Sequence, residues 1–420
     1  MNTATTNNKA SIGVFVRMFM GSSDDIPKYI EVFDQSLTSI QSSWFRGKNF
    51  TIMNLDKGIY LVRLSLSSGV QEDITVQLNE GEIKKVEINL AIRSPHESHE
   101  WAFFTKNISI GQTKSSNLKR FDYTKKGFQR IEGKLWNYSN HQWISKVDPQ
   151  FLNQNIHADG RVYKLTTGES LCVLEISGDN MPTLFVNLPP RSNLNCLIKL
   201  CVGDVAALFP IDIVVATDNA LAESLLALIT SGSIREATSL NKDLNFDAEE
   251  LLMGKVNDPI AASIGAYFLL KTGELHLLHD WANNLANLFK WLPDGAIIHA
   301  WQMMAEKDKS RELINKIRAR FLEAVDRGIP VYTEGLRLLH EGLTQLWYFL
   351  KQNDDDIKAA IKKISAYVEA VDWSQETTTY TGTAPDQPMK PQPQKKESPD
   401  VFIETKKEQD EERPADLVHA

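Results

Sequence analysis

His276 and His279 stand three residues apart with Asp280 directly after them, in the run Leu275-His-Leu-Leu-His-Asp-Trp281. Helix positions i and i+3 share a face, so two imidazoles and a carboxylate here have the donor types of a partial metal site. A structural role competes with that chemistry. At a helix beginning, Asp280 or His279 bonds freed backbone amides while Trp281 fills a hairpin, and two-ligand fragments rarely prove to be sites. The residues are therefore expected to cap and pack, with no metal and no other cofactor. His96-Glu97-Ser98-His99-Glu100 repeats the donor types in a polar stretch without the surrounding hydrogen-bond partners that fix metal ligands. Cys172, Cys196 and Cys201 lie among Leu, Val and Ile, where a thiol is an inert small hydrophobe. A Cys–His nucleophile pair would need His141 or His157 to come close, and nothing in the spacing supports that.

Other chemistries are absent as motifs. The chain has no G-x-x-x-x-G-K-[ST] to cradle phosphates, no G-x-G-x-x-G, no G-x-S-x-G elbow and no H-E-x-x-H. Asp354-Asp355-Asp356 lacks the glycine and distal glutamate of a calcium loop and reads as the cap of a helix starting near Ile357. The expectation is a non-enzyme.

Aromatic residues are the stronger lead. Of nine tryptophans, Trp281, Trp291, Trp301 and Trp347 fall in one helical stretch. Trp301 is expected to be core. Trp291, just before Pro293-Asp294-Gly295, is expected to be more exposed and to anchor a partner. Val401-Phe402-Ile403, between charged flanks, has the form of a short docking strand.

A net charge of −8 disfavours a phosphate backbone, and only residues 101–216 are basic, with 13 Lys+Arg against 9 Asp+Glu. No apolar run approaches the roughly 20 residues that span a bilayer. Ile12 to Met20 is short and carries Arg17, unlike a signal peptide, and three cysteines without a CxxC pair fit a reducing compartment. A cytoplasmic protein with a protein partner, and neither nucleic acid nor membrane, is expected; the oligomeric state is left open.

The elements that must position these residues follow from period. Tyr60, Val62, Leu64 and Leu66, then Ile74, Val76 and Leu78, then Val86, Ile88 and Leu90 alternate with period two and predict an antiparallel meander. Seven further β-prone runs between Ile131 and Val215, separated by turn residues, predict a second sandwich. From Thr217 the period becomes 3.6. Asp258-Pro259 starts a helix that Gly273 stops, Ala261 or Ala262, Gly265 and Ala266 let a neighbour approach, and further stripes run to Val368. Residues 375–420 hold six of sixteen prolines and little apolar content, which predicts disorder.

Leu55-Asp56-Lys57-Gly58-Ile59-Tyr60-Leu61-Val62 resembles the L-x-x-G-x-Y-x-V signature of carboxypeptidase-regulatory-like and transthyretin-like β modules over about residues 50–92, which implies a structural or adhesive module. Trp301, Met304, Ala305, Phe321 and Ala324 sit where a tetratricopeptide repeat wants aromatic, large, small, aromatic and small residues. Asp308 and Ile317 depart from it, so the hairpin resembles a degenerate repeat. Asp258-Pro-Ile-Ala-Ala, Gly265-Ala-Tyr, Leu278-His-Asp-Trp281, Trp291-Leu-Pro-Asp-Gly-Ala296, Arg327-Gly-Ile-Pro330 and Glu334-Gly-Leu336 together resemble uncharacterised bacterial proteins found with caspase-like or other peptidase genes. That likeness implies an accessory role and no active residue.

The expected architecture is α+β and multidomain: a flexible 1–10, a β-sandwich-like domain at 11–93, a connector at 94–127, a second β-sandwich-like domain at 128–216, a tetratricopeptide-like helical block at 217–374 and a disordered tail at 375–420. The expected function is a non-catalytic scaffold or adaptor. The alternatives are a regulatory partner or proteolytic target of an operon-encoded peptidase and, less favoured, a metal-dependent hydrolase at His276, His279 and Asp280.

Overall fold

The computed structural model describes residues 9–17, 26–67, 71–90, 132–139, 142–146, 154–157, 160–178, 181–200, 211–244, 248–307 and 310–391. The connector at 94–127, His96, His99, His141, Cys201 and Val401-Phe402-Ile403 lie outside the described residues.

The first β module has seven strands: β1 (Ala10–Arg17), β2 (Lys28–Phe33), β3 (Ser39–Phe45), β4 (Asn49–Leu55), β5 (Gly58–Leu66), β6 (Gln71–Leu78) and β7 (Ile83–Asn89). They form a β3-β2-β5-β6 sheet over a β4-β1-β7 sheet. Ile12, Val14, Ile30, Val32, Val62 and Leu64 from both sheets close one core, as their alternation requires. The meander expectation fails at its third strand. β7 leaves β6 after the Asn79–Gly81 turn, crosses to the opposite sheet and runs parallel to β1, because Ile88 and Leu90 are buried only by joining the second layer. The glycine–tyrosine signature is structural. Tyr60 is buried and its hydroxyl donates to the Asp56 carbonyl at 2.9 Å, a tyrosine corner four residues long.

The second module contains β8 (Glu132–Ser139), β9 (Gln142–Lys146), β10 (Gln154–His157), β11 (Gly160–Thr166), β12 (Cys172–Ser177), β13 (Leu184–Leu188), β14 (Asn193–Leu200) and β15 (Ile211–Thr217). All seven runs read from the sequence are strands here; β10 was not read. The helical block follows as α1 (Ala220–Thr230), α2 (Ile234–Asp243), α3 (Ala248–Met253), α4 (Pro259–Thr272), α5 (Trp281–Leu288), α6 (Pro293–Met304), α7 (Arg311–Arg327), α8 (Thr333–Phe349) and α9 (Asp355–Ala370). The expected punctuation holds. Asp258 accepts the Ala261 amide at 2.9 Å with Pro259 in the first turn, Gly273 closes α4 at φ 77°, and Asp354 accepts the Ile357 amide to cap α9. Gly265 does admit a neighbour: a Cβ there would lie 2.8 Å from the Ala248 carbonyl oxygen of α3.

After α9 the chain returns to the sheet. Residues 375–391, expected with the disordered tail, form an ordered strap carrying β16 (Thr379–Ala384) and β17 (Gln387–Pro388), and Thr377 to Thr381 are almost wholly buried. β16 pairs with β13, giving a six-stranded β17-β16-β13-β12-β8-β9 sheet over a β10-β11-β14-β15 sheet. Polar composition is compatible with this strand, because threonine is a good strand former and here the backbone and a single aromatic ring make the attachment. The Asn187 amide donates to the Thr378 carbonyl and the Thr378 amide to the Val331 carbonyl. Tyr380 stacks on Phe185 and meets Tyr367 edge-on.

The six-stranded sheet has two buried faces. Cys172, Leu174, Ile176, Leu184, Val186 and Leu188 face the sandwich core, whereas Val173 and Phe185 belong to the core of the helices. The period changes near Thr217, but packing does not part there. Among the described residues, no helix is long and apolar enough to cross a membrane.

Candidate functional site

The His276–Asp280 corner is a surface turn. His276 is exposed on the 3-10 turn Leu275–Leu278, and His279 adopts φ 44° before α5. The His279 Nε2 lies 2.6 Å from Glu249 Oε1 on α3, its ring meets Trp281 edge-on at 4.8 Å, and its carbonyl accepts from Gln302. Lys255 covers Trp281 at 5.3 Å from the ring centroid. Asp280 is at the N-cap of α5, yet its carboxylate accepts from the Asn284 side chain and not from a backbone amide. The expected cap is therefore replaced by side-chain pairing on the next turn. Among the described residues, no three His, Cys, Asp or Glu side chains form a group able to hold a metal. Cys172 and Cys196 are buried in the second sandwich core.

Trp291 and Trp301 are expected to differ in role, and each has partners of its own. Both are half-buried against the helical core. Trp301 donates its indole N–H to the Leu338 carbonyl at 2.9 Å. Trp291 meets Phe289 edge-on, and the Arg191 guanidinium from the β13–β14 turn lies 5.8 Å from its ring centroid. At this helix terminus the ring is flanked by Phe289 and Arg191.

The residues that do converge are those of the long helical phrase. Asp294, at the second position of α6, is wholly buried. Its Oδ1 accepts the Tyr267 hydroxyl of α4 at 2.8 Å and, more weakly, the Tyr332 amide at 3.4 Å; its Oδ2 accepts the Val331 amide at 2.9 Å. One carboxylate thus ties α4, α6 and the entry to α8. Gly335 is required beside it, since a Cβ there would lie 2.4 Å from the Tyr267 hydroxyl oxygen and 3.0 Å from Asp294 Oδ1. Gly295 lies close to the backbone of Ala286, where an added Cβ would be 3.3 Å from the Ala286 Cα and nitrogen. Arg327, also buried, donates to the Ala286, Phe289 and Leu292 carbonyls and so closes the C-terminal end of α5.

Burial raises the Asp294 carboxyl to about 6, against the lowering effect of the Val331 amide and the Tyr267 hydroxyl. The Tyr267 and Tyr332 phenols are pushed well up, chiefly by burial and then by nearby carboxylates. The Tyr332 hydroxyl makes no hydrogen bond in its buried position. On α6, burial lowers His299 to about 4, with Arg320 adding to the shift. Displaced titrating groups are one mark of functional sites, and joints in a core produce them as well. Here each Asp294 contact is to this chain's own backbone or to Tyr267, so the chemistry available is that of a buried acceptor. Pro293-Asp294-Gly295 has the composition of a helix break. The missed signal was an acidic residue inside the first turn of a helix otherwise apolar through Ile297 and Ile298.

Fold and site together define two β modules joined to a helical bundle whose internal polar groups act as joints. Residues 224–415, less than half of the chain, match the family described as the Y4kD C-terminal domain; the match takes in the helices and the returning strap. No curated protein matches the chain. Among solved structures, a 9R-lipoxygenase from Cyanothece PCC8801 aligns over 80% of this chain and 66% of that chain at 10% identity, with a TM-score of 0.12 that carries no argument.

Proposed function

We propose that this protein is a non-catalytic scaffold or adaptor whose helical block binds a protein partner. One contrast supports the reading. The buried ionisable groups Asp294 on α6 and Arg327 on α7 are engaged with their own chain, while large apolar side chains on the neighbouring helices face outward: Tyr348 and Phe349 at the end of α8 are 63% and 55% exposed, and Leu288 ends α5 exposed as well. Tyrosine is enriched among side chains that anchor interfaces. Hairpin α6–α7, with Phe321 and Ala324 fully buried, supports the tetratricopeptide-like reading, in which helical hairpins present partner-binding surfaces. The partner class we favour is a peptidase encoded nearby, following the likeness of the helical phrase.

The test is capture by cross-linking in the native host, comparing the full chain with its Tyr348→Ala/Phe349→Ala variant. The variant is expected to keep its thermal midpoint within about 2 °C, since exposed positions contribute little to stability, and to lose the partners that the wild type recovers. Recovery of the same partners in equal yield contradicts the reading.

A further inference from the structure

β3 is the edge strand of its sheet, and its last two residues are buried on opposite sides. Phe45 enters the core of its own sandwich. Trp44, only 3% exposed, enters the core of the helices, and among the buried residues before Leu90 it alone does so. Its indole N–H donates to Ser239 Oγ at 2.9 Å and its backbone N–H to Asp243 Oδ2 at 3.0 Å. Ser239 and Asp243 are four residues apart on α2 and so lie on one face. Tyr29 on β2 packs on the outer side of the indole, with ring centroids 5.0 Å apart. Ahead of Trp44, Ser39, Ile40 and Ser42 are exposed along the same edge.

Trp44 therefore contributes nothing to the closed core of the first sandwich, and both of its donors are satisfied by the other half of the molecule. An indole and one outward backbone N–H on an edge strand are the features by which an extended segment is recognised. The acceptor helix lies inside the span that matches the Y4kD C-terminal domain, and its occupant lies outside it. We propose that β3 is a releasable cis-ligand of α2: Trp44 fills a site that, when the first sandwich moves away, accepts an extended polypeptide segment presenting an indole and a free backbone N–H. Because both halves belong to one chain, the effective concentration is on the order of millimolar, so a trans affinity of about 1 µM keeps the site closed roughly a thousand to one. The proposal deepens the interaction reading by naming a second binding surface and the class of its ligand.

The probe is a labelled peptide with the sequence of residues 39–46, titrated against full-length chains and read by fluorescence anisotropy. The Trp44→Ala chain is expected to bind it at least tenfold more tightly than the wild type, whose site is filled. Adding Ser239→Ala and Asp243→Ala to Trp44→Ala is expected to remove that gain, as is replacing the peptide's tryptophan by alanine. Equal binding to wild type and Trp44→Ala, or none to a folded Trp44→Ala chain, overturns the proposal. If Trp44→Ala does not fold, the wild-type chain with a protease site placed between residues 94 and 127 decides the question. After cleavage its fragments are expected to co-elute at tens of micromolar and to part at tens of nanomolar, and fragments that stay together at nanomolar concentration overturn it. Failure of these experiments with the Tyr348/Phe349 result intact removes the latch alone; the converse outcome removes the outward aromatic surface and leaves the latch.

Discussion

The two β modules are built from the same kind of strand and differ in what covers their sheets. In the first, both sheets turn their apolar faces inward on one core, and apart from Trp44 and Tyr29 at one edge the outer faces carry residues such as Arg63 and Asp73, paired at 2.8 Å. In the second, β12 and β13 are buried on both sides, with Leu174 and Val186 facing one core and Val173 and Phe185 the other. A sheet with one wet face can close a unit by itself; a sheet buried twice needs its cover to fold. The helical block is that cover, and the strap at 375–391 threads between the two.

The sharpest way to break the comparison is to cut the strap. A chain ending after Ser374 loses β16, the Tyr380 ring between Phe185 and Tyr367, and the backbone partners of Asn187 and Val331. Its helical signal in circular dichroism is expected to lose its cooperative melt, whereas a chain ending after Pro391 keeps it, and the first sandwich survives both cuts. Next in size is Asp294→Ala, which strips acceptors from the Val331 amide and the Tyr267 hydroxyl. At about 1–3 kcal/mol for each buried group left unpaired, the unfolding free energy of the helical unit in urea titrations is expected to fall by about 3 kcal/mol or more, with no change in the first sandwich.

A smaller effect comes from pH. A carboxyl raised to about 6 when folded stabilises below its unfolded value and loses that contribution as pH rises through 6, a change on the order of 3 kcal/mol. His299, lowered to about 4, acts in the opposite sense: its contribution is present above its unfolded value of 6.5 and is lost as pH falls through 4, with a smaller amplitude because it is only part-buried. The two slopes offset each other in the wild type between pH 4 and 6.5. In Asp294→Asn, denaturant titrations are expected to show stability falling on acidification over that range, and in His299→Gln to show it rising. Parallel profiles for both variants contradict the assignment.

What the sequence disclosed follows the same physics. Caps and periods depend on neighbouring residues, so Asp258, Gly273, Asp354 and the seven runs of the second module were legible. Features that depend on distant partners were not. β7 crosses to pair with β1, and a polar threonine strap becomes a buried strand because β13 offers it an edge. Trp291 meets Arg191, a hundred residues upstream. For the candidate site, the helical phrase was recognised as distinctive without its reason, which is that Tyr267, Asp294, Val331 and Gly335 meet at one point. Trp44-Phe45, ending a strand in which Ile40 is the one other apolar residue, was a readable sign of a second cover that period alone does not interpret.

Native-state hydrogen exchange of the full chain tests the central claim, that the second β module, the helices and the strap open as one unit and the first sandwich as another. Amides of β12, β13 and β16 are expected to exchange through an opening of the same free energy and denaturant dependence as those of α4 and α6, with β2 and β5 following a separate one. Exchange of β12 and β13 in step with β2 and β5, or their continued protection while α4 and α6 exchange, would contradict it.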